Sequence, residues 1–164
     1  VLYLMDREHL GVEQALALLN QRSGLLGVSG ISNDIRELIS KMESGDARAE
    51  LAIRMFCYRV RKYIGAYYAV LNGADAVIFT GGIGENRPLI RARICEALDA
   101  LGIAIDPPKN EGAIAVEADI SAGSAKTQVW VIPTNEELLI ARETALCIGK
   151  RESDFSAPEP PSTR

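Results

Sequence analysis

The segment DAVIFTGGIGENR, residues 75–87, decides how the fold of the whole chain is interpreted. Its first half contains the apolar run Val77-Ile78-Phe79, which has the length and the residue types of a buried strand. A glycine loop at 81–84 follows, and apolar spacing predicts a helix at 87–101. Glycines let a ligand approach the backbone, and the free N–H groups of a first helical turn point toward it. The arrangement is typical of a phosphate or nucleotide site.

This local pattern leaves two interpretations open. The residues GIGENR from Gly82 fit G-x-G, but Arg87 stands where the dinucleotide fingerprint requires a third glycine. The Gly-Lys-Ser/Thr of a phosphate-binding loop is absent from the segment. The alternative is a tight turn between strand and helix, in which Asn86 caps the helix and Pro88 occupies its first turn.

Composition indicates one globular domain with a proper core. The chain has 164 residues, of which 48% are hydrophobic and 24% are charged. A net charge of −4 gives no support for binding to nucleic acid or to a membrane surface. No apolar run approaches the ~20 residues of a membrane span, and no signal-peptide pattern is present. We therefore expect partners that are neither nucleic acids nor membranes.

The three cysteines are Cys57, Cys95 and Cys147. They are far apart in the sequence, and each falls on the apolar face of a predicted helix. This placement predicts buried thiols in a reducing compartment, which favours the cytoplasm.

The chain starts at Val1, directly inside a helical pattern. We expect it to be a piece of a longer protein.

The order of the predicted elements indicates an α/β fold. Two strong strands are predicted, at 75–80 and at 128–132, and helices separate them, which indicates a parallel pair in one sheet. The other predicted elements are helices at 1–5, 12–20, 46–71, 87–101 and 138–148, a helix that starts near Asp34, a loop at 23–34, short strands at 103–106 and 113–116, and a mobile polar tail at 149–164.

Local signals also predict helix caps and one surface. Ser32 or Asn33 is expected to cap the helix that starts near Asp34, and Asp34 suits the positive end of its dipole. Thr134 and Glu137 form a predicted capping box at the last helix. The long helix at 46–71 has a wide apolar stripe, which predicts either deep burial or contact with another chain.

With these residues in view, the chain resembles the acetate kinases, in their C-terminal portion, over about residues 1–148. The segments that carry the resemblance are RSGLLGVSGISNDIREL, VLNGADAVIFTGGIGENRPLIR, LGIAID and VIPTNEELLIARET. It implies part of a ribonuclease-H-like, actin-like ATPase fold, of the superfamily that includes sugar kinases and heat-shock ATPases. It also implies reversible transfer of the γ-phosphoryl of ATP to acetate, which gives acetyl phosphate and ADP with Mg²⁺.

The resemblance assigns the site residues of this sequence. The two segments implied in nucleotide binding are Asp34, Ile35 and Arg36, and Gly82, Ile83, Gly84, Glu85 and Asn86. Arg36 can stack on a base or pair with a phosphate. Glu136 is implied in holding Mg²⁺, which keeps several waters and needs few protein ligands. Without the resemblance, Glu136 is an ordinary acid in the first turn of a helix.

The resemblance also implies what the chain does not supply. The acetate pocket and the catalytic residues of the family lie upstream of Val1, so we assign no catalytic residue and expect the chain to be inactive alone. A homodimer is implied, because the C-terminal portion forms the dimer contact in the family. The alternatives are part of a propionate or butyrate kinase, a non-catalytic α/β binding or dimerisation module and, less favoured, a nicotinamide-dependent dehydrogenase.

Overall fold

The computed structural model describes residues 1–154, with side chains described to residue 148. Its helices are Leu2–Arg7 (α1), Val12–Gln21 (α2), Gly24–Ser29 (α3), Ile35–Glu43 (α4), Ala47–Val70 (α5), Gly81–Asn86 (α6), Pro88–Cys95 (α7), Pro107–Gly112 (α8) and Glu136–Asp154 (α9). Its strands are Ala76–Phe79 (β1), Ala118–Asp119 (β2) and Gln128–Val131 (β3). A 3₁₀ turn occupies Asp99–Leu101.

The strands form one sheet in the order β1-β3-β2. β1 and β3 are parallel, with Val77 opposite Val129, which confirms the predicted parallel pair. The amide of Ile132 donates to the carbonyl of Phe79 (3.0 Å), so the pairing continues past the end of β3. β2 runs antiparallel to β3 and was not predicted, because its two residues lie within a polar stretch.

The weaker strand predictions are only partly confirmed. Residues 103–106 contribute two isolated bridges, from Ile103 to Thr127 and from Ile105 to Ser121. Residues 113–116 form no strand, so that prediction was wrong. The backbone there includes Ala115 at a φ of +53°, which extended pairing does not allow.

One hydrophobic core joins α4, α5, α7 and the sheet, and it includes Leu38, Ile53, Ile90 and Val129. The long helix α5 confirms the prediction for 46–71. Its Asp46 cap accepts hydrogen bonds from the amides of Arg48 and Ala49, both at 2.9 Å, and these satisfy two free donors of the first turn.

The structure corrects the predictions for two loops and one helix. Residues 81–86 form the short helix α6 instead of an open loop, and residues 24–29 form the short helix α3. The helix predicted at 87–101 ends at Cys95, because Glu96 leaves the helical region with a ψ of 130° and Ala97 follows with a φ of +59°.

Two predicted caps are also corrected. The side chain of Asp34 itself caps α4 by accepting from the amide of Arg36 (2.8 Å), in place of Ser32 or Asn33. α7 begins after Arg87, which makes no side-chain cap, so Asn86 is not the cap. Pro88 does occupy the first turn of α7, as predicted.

Several apolar surfaces predicted to be buried are exposed. β1 lies at an end of the sheet as described, and Ile78 on its uncovered face is 55% exposed. Cys57 and Cys95 are buried as predicted, whereas Cys147 on α9 is exposed. Apolar residues of α9 such as Leu139 and Ile140 are exposed too, because no described element covers that face of the helix.

The polar tail predicted at 149–164 begins inside α9, and residues 155–164 lie outside the described residues. No helix in the described part of the chain is long and apolar enough to cross a membrane.

Candidate functional site

The candidate site lies where the parallel strands β1 and β3 end. α6 follows the carboxyl end of β1, and the segment 132–136 follows the carboxyl end of β3. Neighbouring parallel strands bring such segments to the same edge of a sheet, which is where open α/β sheets bind their ligands. Two of the predicted site segments, at residues 82–86 and at Glu136, are therefore placed together.

Two glycines of α6 differ in their surroundings. A Cβ at Gly84 would lie 3.2 Å from the carbonyl carbon of Phe79, so the turn packs closely against the end of β1. A Cβ at Gly82 would have no atom within 4 Å. Gly84 is thus explained by internal packing, whereas Gly82 borders open space in which a ligand can approach the backbone.

The other side chains of α6 divide between its surface and its interior. Ile83 is 37% exposed and offers an apolar surface for a flat base or ribose. The side-chain amide of Asn86 donates to the carbonyl of Gly82 (3.1 Å), which closes the turn. Asn86 therefore braces the backbone around Gly82.

Glu85 turns inward, away from the open side of the turn. Its side chain is buried, and its Oε1 accepts hydrogen bonds from the amide of Gly81 (2.8 Å), the amide of Thr134 (2.7 Å) and the hydroxyl of Thr134 (2.9 Å). The donation by the Thr134 amide, then by its hydroxyl, lowers the pKa of Glu85, and the Gly81 amide adds to this effect. The carboxylate thus joins α6 to the segment after β3.

Arg91 holds the back of the same turn. It is fully buried, and its guanidinium donates to the carbonyls of Gly84 (2.6 Å), Glu85 (3.1 Å), Asn110 (2.8 Å) and Ala113 (2.6 Å). Its Nε donates to the side chain of Asn110 (2.8 Å). Burial lowers the pKa of Arg91, and the carbonyl oxygens compensate for the lost hydration of the cation.

The segment at 34–36 carries an exposed ion pair. Arg36 Nε donates to both carboxylate oxygens of Asp34, at 3.0 and 3.1 Å. The Arg36 side chain, followed by its amide, lowers the pKa of Asp34 to about 2. Ile35 is buried in the core, so only its backbone can face a ligand.

The structure connects segment 34–36 to the end of β1 through the shared core. Ile35 and Phe79 belong to the same hydrophobic cluster, but within residues 1–148 no hydrogen bond joins Asp34 or Arg36 to α6. This part of the predicted site is therefore anchored to the same core as the end of β1, which precedes the glycine turn.

Glu136 is the first residue of α9 and is exposed. Asn135 precedes it and caps the helix, accepting from the amide of Leu138 (3.0 Å) at its side chain. The predicted capping box at Thr134 was wrong, because the Thr134 hydroxyl donates to Glu85 instead. The carboxylate of Glu136 is left available to a ligand.

The single carboxylate of Glu136 fits a partial magnesium site. Among the described residues, no cluster of three or more His, Cys, Asp or Glu side chains could hold a metal. Mg²⁺ commonly takes one or two carboxylates and completes its shell with waters and substrate phosphates. One exposed carboxylate beside the glycine turn at 81–86 matches that mode of binding, so Glu136 can contribute to a shared ion.

Sequence reasoning missed the bond of Thr134 to Glu85, and it missed the pair Arg91 and Asn110. A signal for Arg91 was present, since it lies three residues before Ile94 and therefore on the apolar face of α7. A cation at such a position indicates a buried guanidinium with polar partners. Neither Thr134 nor Asn110 carries a comparable signal, because their partners are distant in the sequence.

Comparison with known proteins gives consistent matches. The model of the acetokinase family matches residues 1–142. The chain is 52% identical over 148 residues to an acetate kinase of Dictyoglomus turgidum, covering 90% of this chain and 36% of that protein. It is 55% identical over 142 residues to an acetate kinase of Methanosarcina thermophila, covering 87% and 35%.

Two crystal structures have a similar fold. That of Porphyromonas gingivalis acetate kinase matches with a TM-score of 0.82 at 41% identity, covering 90% of this chain and 37% of that one. That of a propionate kinase from Francisella tularensis matches with a TM-score of 0.78 at 42% identity, covering 87% and 36%. The chain spans little more than a third of the length of the relatives it matches.

Proposed function

The chain belongs to the acetokinase family, and from this premise we propose that it is the C-terminal portion of an acetate kinase. Its fold is part of the actin-like ATPase α/β fold, which is the fold of the solved acetate and propionate kinases that it matches. The complete enzyme transfers the γ-phosphoryl of ATP to acetate, giving acetyl phosphate and ADP, and runs in both directions. In this proposal, the chain binds the adenosine of ATP or ADP and contributes one Mg²⁺ ligand.

One observation carries the proposal. The turn containing Gly82 and the segment leading to Glu136 meet at the carboxyl ends of two parallel strands, and the space outside Gly82 is open. A nucleotide lying along the turn would extend its phosphates toward the Mg²⁺ held by Glu136. Arg36 supplies a guanidinium at the start of α4 for a base, a ribose or a phosphate.

The chain's own residues bind and orient the nucleotide and Mg²⁺, and none of them is proposed to transfer the phosphoryl group. Phosphoryl transfer needs cationic clamps on the moving group and a pocket that aligns the acceptor. Mg²⁺, when bound, neutralises charge on the phosphate oxygens. We assign the acceptor pocket and the transition-state clamps to the remainder of the enzyme, and we expect the chain alone to be inactive.

The acceptor acid is proposed as acetate, and the second candidate is propionate. The chain is 41% identical to a solved acetate kinase and 42% identical to a solved propionate kinase, so structural identity does not separate the two. Acetate is favoured because the curated relatives at 50% identity and above bear that name.

A homodimer in the cytoplasm completes the proposal. α5 presents an uncovered face of large apolar and aromatic side chains, including Met55, Tyr58, Tyr63 and Tyr67. Such a face supports contact with a second subunit.

The free thiols Cys57 and Cys95 and the use of ATP support a reducing cytoplasmic location.

Nucleotide binding to the chain tests the proposal through Gly82. Gly82→Ala places a methyl group in the open space and touches no other residue, so folding is expected to be unaffected. We expect ATP with Mg²⁺ to bind the wild-type chain, and Gly82→Ala to weaken the Kd about tenfold, or ~1.4 kcal/mol, in isothermal titration calorimetry.

The matched control is Gly65→Ala, which adds the same methyl group in open space on α5. It should leave the Kd for ATP unchanged. Equal ATP affinity in the Gly82→Ala variant would contradict a nucleotide site at this turn, and binding of NAD by the wild-type chain would favour the dehydrogenase alternative over an acetate kinase.

A further inference from the structure

We propose that Glu85 is a positioning residue that couples the nucleotide turn to the Mg²⁺-binding segment through Thr134. The inference rests on the proposed function and deepens it, since it states how the two halves of the site act together. The resemblance placed Glu85 among the nucleotide-binding residues, whereas its side chain faces the segment after β3.

The hydrogen-bond geometry supports a rigid link. A single oxygen, Oε1 of Glu85, receives donors from both sides: the Gly81 amide at the start of α6 and both the amide and the hydroxyl of Thr134. All three distances lie between 2.7 and 2.9 Å, as expected for bonds to an ionised carboxylate. The start of α6 and Thr134 therefore cannot separate without breaking charge-assisted bonds.

The surrounding contacts leave α6 little freedom to absorb a shift. The backbone carbonyl of Glu85 accepts from Arg91 (3.1 Å) and from the amide of Ala115 (3.2 Å). Gly84 packs against Phe79, so the turn cannot move toward β1. A displacement of the turn by a nucleotide is thus passed to Thr134.

Thr134 is connected to Glu136 by only one intervening residue. Asn135 between them caps α9, which fixes the start of the helix relative to Thr134. A change at Thr134 therefore shifts the carboxylate of Glu136. Nucleotide bound at α6 and Mg²⁺ bound at Glu136 should consequently strengthen each other through this link, because coupling between two sites is reciprocal.

The first measurement follows the link itself, without any ligand. In amide hydrogen exchange of the full chain, the amides of Gly81 and Thr134 should be protected, and Glu85→Gln should speed their exchange. Thr134→Val removes only the hydroxyl donor and should speed exchange to a smaller extent, whereas Thr134→Ser should retain protection. Unprotected amides in the wild-type chain would overturn the link.

The second measurement follows the coupling. ADP affinity is measured by calorimetry with and without Mg²⁺ for the wild-type chain, Glu85→Gln, Thr134→Val and Thr134→Ser. The factor by which Mg²⁺ tightens ADP binding should fall about fivefold or more in Glu85→Gln, which is the lower end of typical coupling between two sites. In Thr134→Val the factor should fall by a smaller amount. Thr134→Ser should restore the wild-type factor.

Glu13→Gln is the control, because it removes one carboxylate charge from an exposed position in α2. An unchanged Mg²⁺ effect in Glu85→Gln, with wild-type binding intact, would overturn the coupling. If the wild-type chain binds no ADP at all, the proposed nucleotide site fails, and hydrogen exchange still decides whether the Glu85 link exists.

Discussion

At the scale of the residue, the ion pair between Asp34 and Arg36 sets the charge at the start of α4. Asp34 caps the helix through the Arg36 amide and pairs with the Arg36 guanidinium. Both side chains are substantially exposed, at 37% and 71%, so the pair contributes little to overall stability. Its importance is local, because it holds the Arg36 side chain close to the segment 34–36, which we propose to bind the nucleotide.

The titration of Asp34 tests this pairing. Its pKa of about 2 lies below the ordinary value of 3.8, so the pairing stabilises the fold above pH 3.8 and that contribution is lost as the pH falls through 2. Arg36→Gln should raise the pKa toward 3.8 without reaching it, since the amide of residue 36 still donates. Carboxyl NMR titration measures the pKa directly.

Arg22→Gln provides the comparison, because Arg22 is an exposed arginine that is not among the hydrogen-bond or ion-pair partners of Asp34. The pKa of Asp34 should not change in that variant. A wild-type value near 3.8 would show that the two side chains do not pair in solution.

Single-residue roles were predictable only where the signal is local. Asp34 was correctly placed at the positive end of α4, but three neighbouring residues could each have been the cap, and the local pattern does not choose among them. Thr134 was misassigned because of a tertiary contact. Its hydroxyl donates a hydrogen bond to Glu85, which lies 49 positions away in the sequence, and Asn135 caps α9 instead.

At the scale of the element, the turn at Gly102 positions the chain for its return toward the sheet. Gly102 has a φ of +74°, and its carbonyl accepts from the amides of Lys126 (2.8 Å) and Thr127 (3.0 Å) just before β3. A Cβ at Gly102 would lie 2.8 Å from the Cβ of Lys126. Both the backbone angle and the space therefore require glycine.

Gly102→Ala should consequently lower the free energy of unfolding by at least about 1–2 kcal/mol, which is the cost of a left-handed non-glycine residue. Gly65→Ala is the matched comparison, because Gly65 lies within α5 and a Cβ there meets open space. It should raise the free energy by about 0.5–1 kcal/mol. Urea denaturation measures both, and effects of the same sign would contradict the account of this turn.

Helices with a long and regular apolar pattern were predicted well, whereas a break inside a predicted helix was not. α5 was identified within one residue at each end, since its 24 residues carry a consistent stripe, an aspartate cap and a terminal Asn-Gly. The end of α7 was missed because Glu96 leaves the helical region and Ala97 then adopts a left-handed backbone, although neither is glycine or asparagine. The sequence carries no local signal for such a residue.

At the scale of the whole molecule, the described chain has one core and several uncovered apolar faces. Ile78 on β1, Leu139 on α9 and Tyr67 on α5 are each more than half exposed. The sequence correctly predicted apolar faces on these elements, but it could not tell which of them this chain covers itself. The chain spans about 36% of the length of a matched relative. Under the proposed function, these faces contact the remainder of the enzyme and a second subunit.

The most direct test of the central claim is acetyl phosphate formation by a chimera. In it, this chain replaces the aligned part of the Porphyromonas gingivalis acetate kinase, and the substrates are ATP, acetate and Mg²⁺. We predict turnover by the chimera and no turnover by this chain alone. The Glu136→Ala variant of the chimera should lose at least about 10–100-fold in activity, which is the typical cost of removing a residue that merely supports a metal ligand. Turnover by the chain alone, a folded but inactive chimera, or full activity after Glu136→Ala would contradict the account.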